Sequence, residues 1–278
     1  MQACHVVEIV TPKKYVLNGL WFGSKRPKRC VVWVHGLGSS MFSKLKIADE
    51  LVDGKTAVLV FNNRGHDKVA NVSTTKGERL KVGSAHERFT DCIDDIEGAL
   101  RFARKAGVKS IYLAGHSTGA QKSMYWAAKR GRGVKGIILL GSISDYSSGP
   151  FFYPKRQMQR AAVIAQRYVR AGKKHVLLPE GFDAQRFLGL YSGKGPEEIF
   201  TYWDPKRNPR TLRTVRLPTL VLLAAKDEFA DRPAKEIAAW FERNLRKGKV
   251  VIVPRVKHSF RGGEKRVAAE IHRWMKRL

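Results

Sequence analysis

The chain has 278 residues and 43% of them are hydrophobic, which excludes a globally disordered protein and allows a large buried core. This length suits one large α/β domain with an inserted subdomain. No apolar run reaches the roughly 20 residues that cross a bilayer, and the first residues lack the pattern of a signal peptide. Since three scattered cysteines do not make a disulfide framework, we expect a reduced, cytoplasmic protein.

The charge balance is strongly basic. Lys and Arg total 53 against 24 Asp and Glu, a formal net charge of +29, which attracts polyanions over long distances. The basic residues are nevertheless spread along the chain, and the densest cluster, residues 25–29, falls in a predicted loop. We therefore expect a solvated basic surface and no specific nucleic-acid partner.

Alternating and continuous apolar runs predict eight strands. The first two alternate and predict an antiparallel edge pair, and the later runs are continuously apolar, as in strands buried on both faces. Helical periodicity separates the later strands, which indicates right-handed crossovers and a mainly parallel sheet flanked by helices. The predicted strands are 5–10, 15–22, 30–34, 56–61, 110–114, 134–140, 218–225 and 249–253. The predicted flanking helices are 44–52, 86–106, 120–130, 232–246 and 264–278.

Two segments depart from this alternation. Residues 62–83 are polar and are predicted to be irregular. Residues 146–212 contain helical patterns near 155–171, 183–190 and 196–203, interrupted by Gly and Pro. They also contain many aromatic residues, which are expected to pack over another part of the protein. We predict that 146–212 form a helical cap inserted into a core domain made of residues 1–145 and 213–278.

A reactive serine is predicted at the turn after the strand 110–114. The segment Gly115-His116-Ser117-Thr118-Gly119 has the form Gly-x-Ser-x-Gly and lies between a strand and a helix, which is the context in which this motif presents a nucleophile. The two glycines allow the strand and the helix to approach closely. Ser117 is therefore the candidate nucleophile.

A serine hydroxyl needs a base, and that base needs a carboxylate to orient it. His258 follows the last predicted strand and Asp227 follows the strand before it, so both lie at the carboxyl edge of a parallel sheet with Ser117. Asp145 and Glu228 are alternative carboxylates, in that order. His116 is expected to point away from Ser117 by simple alternation.

An oxyanion formed at Ser117 needs backbone N–H donors. The N–H of Thr118 lies at a helix N-terminus, where the helix dipole favours negative charge. The second donor is expected in the loop His35-Gly36-Leu37-Gly38, and we assign it to the N–H of Leu37. The alternative is that His35-Gly36 is an ordinary turn.

Together these residues resemble the α/β-hydrolase superfamily, in its eight-stranded form with a helical cap. The motifs are His35-Gly36-Leu37-Gly38, Arg64-Gly65-His66, Gly115 to Gly119, Asp227 and His258. Gly115 to Gly119, with 62–67 upstream, is also similar to a branch that includes fungal siderophore-esterase-like proteins. The resemblance implies hydrolysis of carboxylic esters of small or medium acyl groups through an acyl-serine, without metal or organic cofactor.

The scaffold leaves alternatives open. An acyltransferase, thioesterase or amidase would keep the same three side chains, and a polyanion-binding protein that keeps the scaffold without catalysis is the rival from another class.

Arg64 and His66 are expected to shape a turn rather than line the pocket. The acids between Asp91 and Glu97 are expected on a solvated helix face and not at a metal site. The physiological substrate and the oligomeric state stay open.

Overall fold

The computed structural model describes residues 3–278, and its described part contains one ten-stranded sheet. The strands run along it in the order β10-β9-β8-β7-β3-β4-β2-β5-β6, with β1 paired to β2. Six of them, β3, β4 and β7 to β10, are joined by parallel pairing. The strands are β1 Cys4–Val10, β2 Tyr15–Phe22, β3 Arg29–Val34, β4 Thr56–Phe61, β5 Ala70–Thr74, β6 Arg79–Val82, β7 Ser110–His116, β8 Gly136–Leu140, β9 Thr219–Ala224 and β10 Gly248–Val253.

Helices cover both faces of the sheet. The helices are α1 Leu45–Leu51, α2 Cys92–Lys105, α3 Thr118–Lys129, α4 Asp145–Ser148, α5 Lys155–Arg170, α6 Ala184–Tyr191, α7 Arg210–Thr214, α8 Ala234–Asn244 and α9 Glu264–Met275. Buried side chains of α2, α3 and α8 share one apolar cluster with one face of the strands. Those of α1 and α9 share a second cluster with the other face. The mainly parallel, helix-flanked α/β sheet expected from the sequence is confirmed.

The register brings the carboxyl ends of the central strands to one edge. Val34 of β3 pairs with Gly115 of β7, and Val253 of β10 pairs with Ala224 of β9. The strand β8 links these two halves, because it pairs with both β7 and β9. The loops that follow these five strands therefore emerge side by side.

All eight predicted strands are present, but the prediction that 62–83 are irregular is wrong. This segment adds the hairpin of β5 and β6, and β5 pairs with Tyr15 and Val16 of β2. The pairing between β4 and β2 extends over Gly19 to Phe22 of β2. The start of β2 therefore offers backbone N–H and C=O groups on this side to another strand. The hairpin closes at Gly77, whose φ of +84° suits glycine.

The predicted helix at 196–203 is also wrong, because this stretch folds into turns. Its residues Phe200 and Tyr202 pack instead on Phe241 and Trp240 of α8, with ring centroids 5.2 and 5.9 Å apart. Long-range aromatic contacts and the flanking Gly and Pro residues thus override the local helical pattern.

The segment 146–212 packs in two parts. Its section around α5 and α6 encloses a separate apolar cluster that includes Ala161, Phe187 and Tyr191. The following residues, Ile199 to Leu212, join the main cluster beneath α3 and α8. Among residues 3–278, no helix has the length and apolar character needed to cross a bilayer.

Candidate active site

Ser117 lies in the sharp turn between β7 and α3. Its backbone has φ 57° and ψ −128°, a strained conformation for a residue with a side chain. The Ser117 N–H donates to the Leu140 carbonyl at 2.9 Å, so the next strand of the sheet fixes the turn. Strain at a site held this firmly is typical of a functional position.

The two glycines of the motif are required by close packing. A Cβ on Gly115 would overlap the carbonyl of Gly119, and a Cβ on Gly119 would overlap the carbonyls of Val34 and His35. The helix α3 therefore begins in direct backbone contact with β3 and β7. Any larger residue at either position would push Ser117 out of its place.

His258 is held from two sides by consecutive acids. Its ring Nδ1 lies 2.8 Å from Oδ2 of Asp227, and its backbone N–H donates to Oε2 of Glu228 at 2.8 Å. Asp227 Oδ1 in turn accepts from the Phe229 N–H at 3.1 Å, which fixes the carboxylate plane. With Nδ1 engaged, the other ring nitrogen, Nε2, is left for contact with a substrate or nucleophile.

His116, expected to point away from Ser117, lies against the loop that carries His258. Its ring Nε2–H donates to the His258 carbonyl at 2.8 Å, and the two ring centroids are 4.8 Å apart. Burial lowers the pKa of His116 well below its ordinary value, and nearby Lys44 adds to the effect. His116 is therefore a neutral support beneath the His258 loop, a role that strand alternation alone does not reveal.

The loop after β3 is packed directly against the Ser117 turn. A Cβ on Gly36 would stand 3.1 Å from Cβ of Ser117, so the loop needs glycine there. His35 holds the loop in shape, since its Nδ1–H donates to the Gly36 carbonyl at 2.9 Å and its Nε2 accepts from the Asn63 N–H at 3.2 Å. Burial lowers the pKa of His35 to about 3, so it stays neutral.

These elements enclose one cavity of about 460 Å³. The structure brings Ser117, His258 and Leu37 to its lining, with Thr118 buried next to Ser117 at the start of α3. Aromatic residues of the segment 146–212 and of the loop after β9 complete the wall: Phe152, Tyr153, Phe182, Tyr191 and Phe229. Lys44 and Lys68 contribute positive charge. A mostly apolar cleft with a few polar groups is typical of a small-molecule site.

Asp145 brings a carboxyl group into the lining of this cavity. It is the first residue of α4 and only 8% exposed, and its Oδ2 has no hydrogen-bond partner among the described residues. Burial raises the pKa of Asp145 to about 6, against an opposing effect of Arg186. The carboxyl group is therefore held in the cavity at a cost to stability whenever it is ionised.

We expect Asp145→Asn to stabilise the protein at high pH. The folded-state pKa lies about two units above the unfolded value, so ionisation lowers the free energy of unfolding by up to about 3 kcal/mol. This loss builds up as the pH rises from about 4 to about 6. The variant avoids this cost, so its gain should be about 1–3 kcal/mol at pH 8 and vanish below about pH 4. Urea unfolding at several pH values measures it.

The exposed Asp67 provides the matched control. Asp67→Asn removes one carboxylate without relieving burial, so its effect should stay within about 0.5 kcal/mol at every pH. A gain for Asp145→Asn that does not grow with pH would contradict the role of ionisation.

A buried ionic network lies behind the cavity and was not predicted. Lys122 of α3 pairs with Glu87 and donates to Asn63 Oδ1 at 3.0 Å. Arg186 of α6 pairs with Glu87 at 3.1 Å and also with Glu197. Burial favours a raised pKa for Glu87, but Lys122 and Arg186 outweigh it and hold the pKa below its ordinary value. The network joins α6 to α3 through Glu87.

Two acids of α2 form a structural site around Arg64, so the assignment of Asp94 and Asp95 to a solvated face is wrong. Asp95 accepts from the Arg64 side chain at 2.7 Å and from its N–H at 2.9 Å, and Asp94 accepts at 3.1 Å. The guanidinium also lies 4.2 Å from the ring centroid of Tyr15. Within the described part of the chain, no group of acidic, His or Cys side chains could hold a metal ion.

Comparison with solved structures shows the same fold in several hydrolases. A soluble variant of monoglyceride lipase from Saccharomyces cerevisiae superposes with a TM-score of 0.66 at 14% identity, covering 96% of both chains. An esterase from Pyrococcus furiosus gives 0.63 at 16% identity, covering 100% of this chain and 92% of that one. Est1E from Butyrivibrio proteoclasticus, solved with ferulic acid bound, gives 0.63 at 15% identity, covering 97% and 98%.

The sheet order, the strained serine turn and these superpositions define the protein as an α/β-hydrolase. More narrowly, the chain belongs to the serine aminopeptidase (S33) family, whose sequence profile matches residues 25–181. The sequence matches none of the curated proteins.

Proposed function

We propose that the protein is a serine hydrolase that cleaves carboxylic esters through an acyl-serine intermediate. Ser117 is the nucleophile, His258 the general base and acid, and Asp227 the carboxylate that orients His258. The observation that carries the proposal is the 2.8 Å contact of His258 Nδ1 with Asp227 at the cavity lined by the strained Ser117. The fold shared with esterases and a lipase adds support.

In the proposed reaction, His258 Nε2 takes the Ser117 hydroxyl proton as Oγ attacks the ester carbonyl carbon. The C–O bond to the alcohol then breaks, and His258 returns the proton to the leaving oxygen. A water activated by the same nitrogen hydrolyses the acyl-serine and restores the free serine. Asp227 stabilises the imidazolium that forms in each half-reaction and keeps the ring in the required tautomer.

The tetrahedral intermediates carry a negative oxygen that two backbone donors would stabilise. We assign these donors to the N–H groups of Thr118 and Leu37. Thr118 begins α3, whose dipole favours an anion at this end, and Leu37 follows Gly36, which is packed against Ser117. Removing one donor of this kind raises the activation free energy of enzymatic acyl transfer by about 3–4 kcal/mol.

The cavity supports substrates with a small or medium acyl group. A volume of about 460 Å³ accommodates a short alkyl or aryl ester, and the aromatic wall favours an apolar group on at least one side of the ester.

We propose residues 146–212 as the cap that supplies much of this wall, over a core of residues 1–145 and 213–278. We also propose a cytoplasmic location, since Cys4, Cys30 and Cys92 are free thiols.

A fluorophosphonate ester, which traps activated serines, tests the proposal. We expect one phosphonyl group on Ser117, located by peptide mass spectrometry, with loss of activity in proportion to labelling. A panel of chromogenic esters with matched thioesters and amides then ranks the reaction types, and we expect short-chain esters to be turned over fastest. Failure of Ser117 to label in folded protein would contradict the proposed nucleophile.

A further inference from the structure

The helix α5 carries a stripe of arginines on the side that faces solvent. Arg156, Arg160, Arg167 and Arg170 are spaced to lie on one helix face, with Val163 between them, and all five are exposed. The opposite side of the helix, including Ala161 and Ala165, is buried in the cluster of the inserted segment. The packing of this buried side therefore holds the arginine side of the helix toward solvent.

The charge around this stripe has one sign. Residues 155–179 contain seven Lys and Arg and no Asp or Glu, whereas the whole chain has 53 against 24. All seven of these cations are exposed. The local surface is thus purely basic, in contrast to the mixed charge of the rest of the molecule.

Exposed apolar side chains are concentrated in the same region. Twelve large hydrophobic residues are exposed among the described ones, and six of them fall within residues 151–177, about a tenth of the chain. They are Phe151, Phe152, Val163, Ile164, Val169 and Leu177. Single exposed apolar residues are ordinary, but such a concentration marks an interaction surface.

One of these exposed apolar residues also lines the Ser117 cavity. Phe152 is 52% exposed, yet it also lines that cavity and stacks on Phe229 at a centroid distance of 5.1 Å. Phe229 in turn lies edge-on to the His258 ring, 5.2 Å away. An apolar path therefore leads from the exposed face to the candidate catalytic histidine.

We propose that this face of the inserted segment docks on an anionic lipid surface. Arginines bind the phosphate groups of the lipids, while the interleaved Val, Ile, Leu and Phe side chains enter the boundary between head groups and acyl chains. A nucleic acid would use the arginines but leave the aliphatic side chains without a partner. The opening beside Phe152 then faces the lipid.

Docking has a consequence for the substrate. An ester dissolved in the lipid surface reaches Ser117 along the apolar path, so lipid-soluble esters are the substrate class that the docked protein meets. This consequence rests on the proposed esterase function, whereas lipid binding itself does not.

Vesicle co-sedimentation tests the docking with three variants of the full chain. The stripe variant combines Arg156→Gln, Arg160→Gln, Arg167→Gln and Arg170→Gln. The apolar variant combines Val163→Ser and Ile164→Ser. The matched control combines Lys129→Gln, Arg130→Gln, Arg132→Gln and Lys135→Gln. It removes the same charge from exposed positions at the end of α3 and in the loop after it, at the edge of the sheet opposite Ser117.

We expect the wild-type protein to bind phosphatidylcholine vesicles that contain phosphatidylglycerol and not those without it. The stripe variant should lose roughly 100-fold in affinity and the control variant less than about 5-fold. The apolar variant should lose several-fold. Equal losses in the stripe and control variants would overturn the proposal, because net charge alone would then explain binding.

Two further measurements separate the possible outcomes. Full vesicle binding by the apolar variant, with DNA affinity lost in the stripe variant, would overturn the lipid proposal in favour of a polyanion site. Activity on a water-soluble short-chain ester should be unchanged in the stripe variant. Vesicle binding by Ser117→Ala should equal that of the wild type, so a failure of docking and a failure of the proposed chemistry are distinguishable.

Discussion

Ser117→Ala is expected to lower kcat for a chromogenic short-chain ester by about 10⁴-fold or more, because the variant cannot form the acyl-serine. The substitution removes a single oxygen at a backbone position fixed by the Leu140 carbonyl and by the packing of Gly36. The strained turn is thus imposed by its neighbours and not by the hydroxyl. Steady-state kinetics and the thermal unfolding temperature of the same preparation provide the measurement.

Ser259→Ala is the matched control for this substitution. Ser259 is exposed and follows His258 directly, so its removal should change kcat less than about 3-fold. Residual activity of Ser117→Ala above one tenth of the wild-type value would contradict an acyl-serine pathway. Activity lost together with the folded state would instead show that Ser117 holds the turn, and circular dichroism separates these results.

The sequence was informative wherever a local pattern repeats a constraint of the sheet. Continuous apolar runs predicted the strands β3, β4 and β7 to β10, because a strand buried on both faces has few polar positions. Parallel strands share a carboxyl edge, so the predicted strand ends placed Ser117, Asp227 and His258 near one another. The structure shows the contact of His258 with Asp227. The catalytic roles stay predictions.

Sequence patterns do not reveal interactions that depend on partners far away in the chain. The hairpin of β5 and β6 exists because β2 offers an open edge, and periodicity within 62–83 carries no sign of it. The acids of α2 lie at helical spacing that suits a solvated face, but Arg64 converges on them from a loop about 30 residues earlier. Sequence patterns assign such charges to solvent unless the partner is known.

The buried network explains how α6 is attached to α3 and to the residues before α2. Arg186 is 1% exposed and reaches across to Glu87, which Lys122 also neutralises. The two cations together hold the pKa of Glu87 below its ordinary value, so the burial of this carboxylate is compensated only while Lys122 and Arg186 are both present. The α6 part of the segment is therefore held firmly, whereas the outward face of α5 is free to contact a partner.

The two acids beside His258 should differ strongly in their effect on catalysis. Asp227→Asn is expected to lower kcat by about 10³ to 10⁴-fold, because an amide cannot stabilise the imidazolium and favours the wrong tautomer. Among the described residues, Glu228 accepts a hydrogen bond from the backbone N–H of His258, and the amide oxygen of a glutamine can still do so. Glu228→Gln should therefore cost less than about 10-fold.

Asp145→Asn completes this comparison, since Asp145 is a carboxyl group that lines the cavity itself. Its Oδ2 has no hydrogen-bond partner among the described residues, whereas Asp227 is in direct contact with Nδ1 of His258. If Asp227 orients the histidine, the double variant Asp227→Asn with Asp145→Asn should be little worse than Asp227→Asn alone. A further loss of about 100-fold in the double variant, measured as kcat on one ester, would show that the two carboxylates share the task.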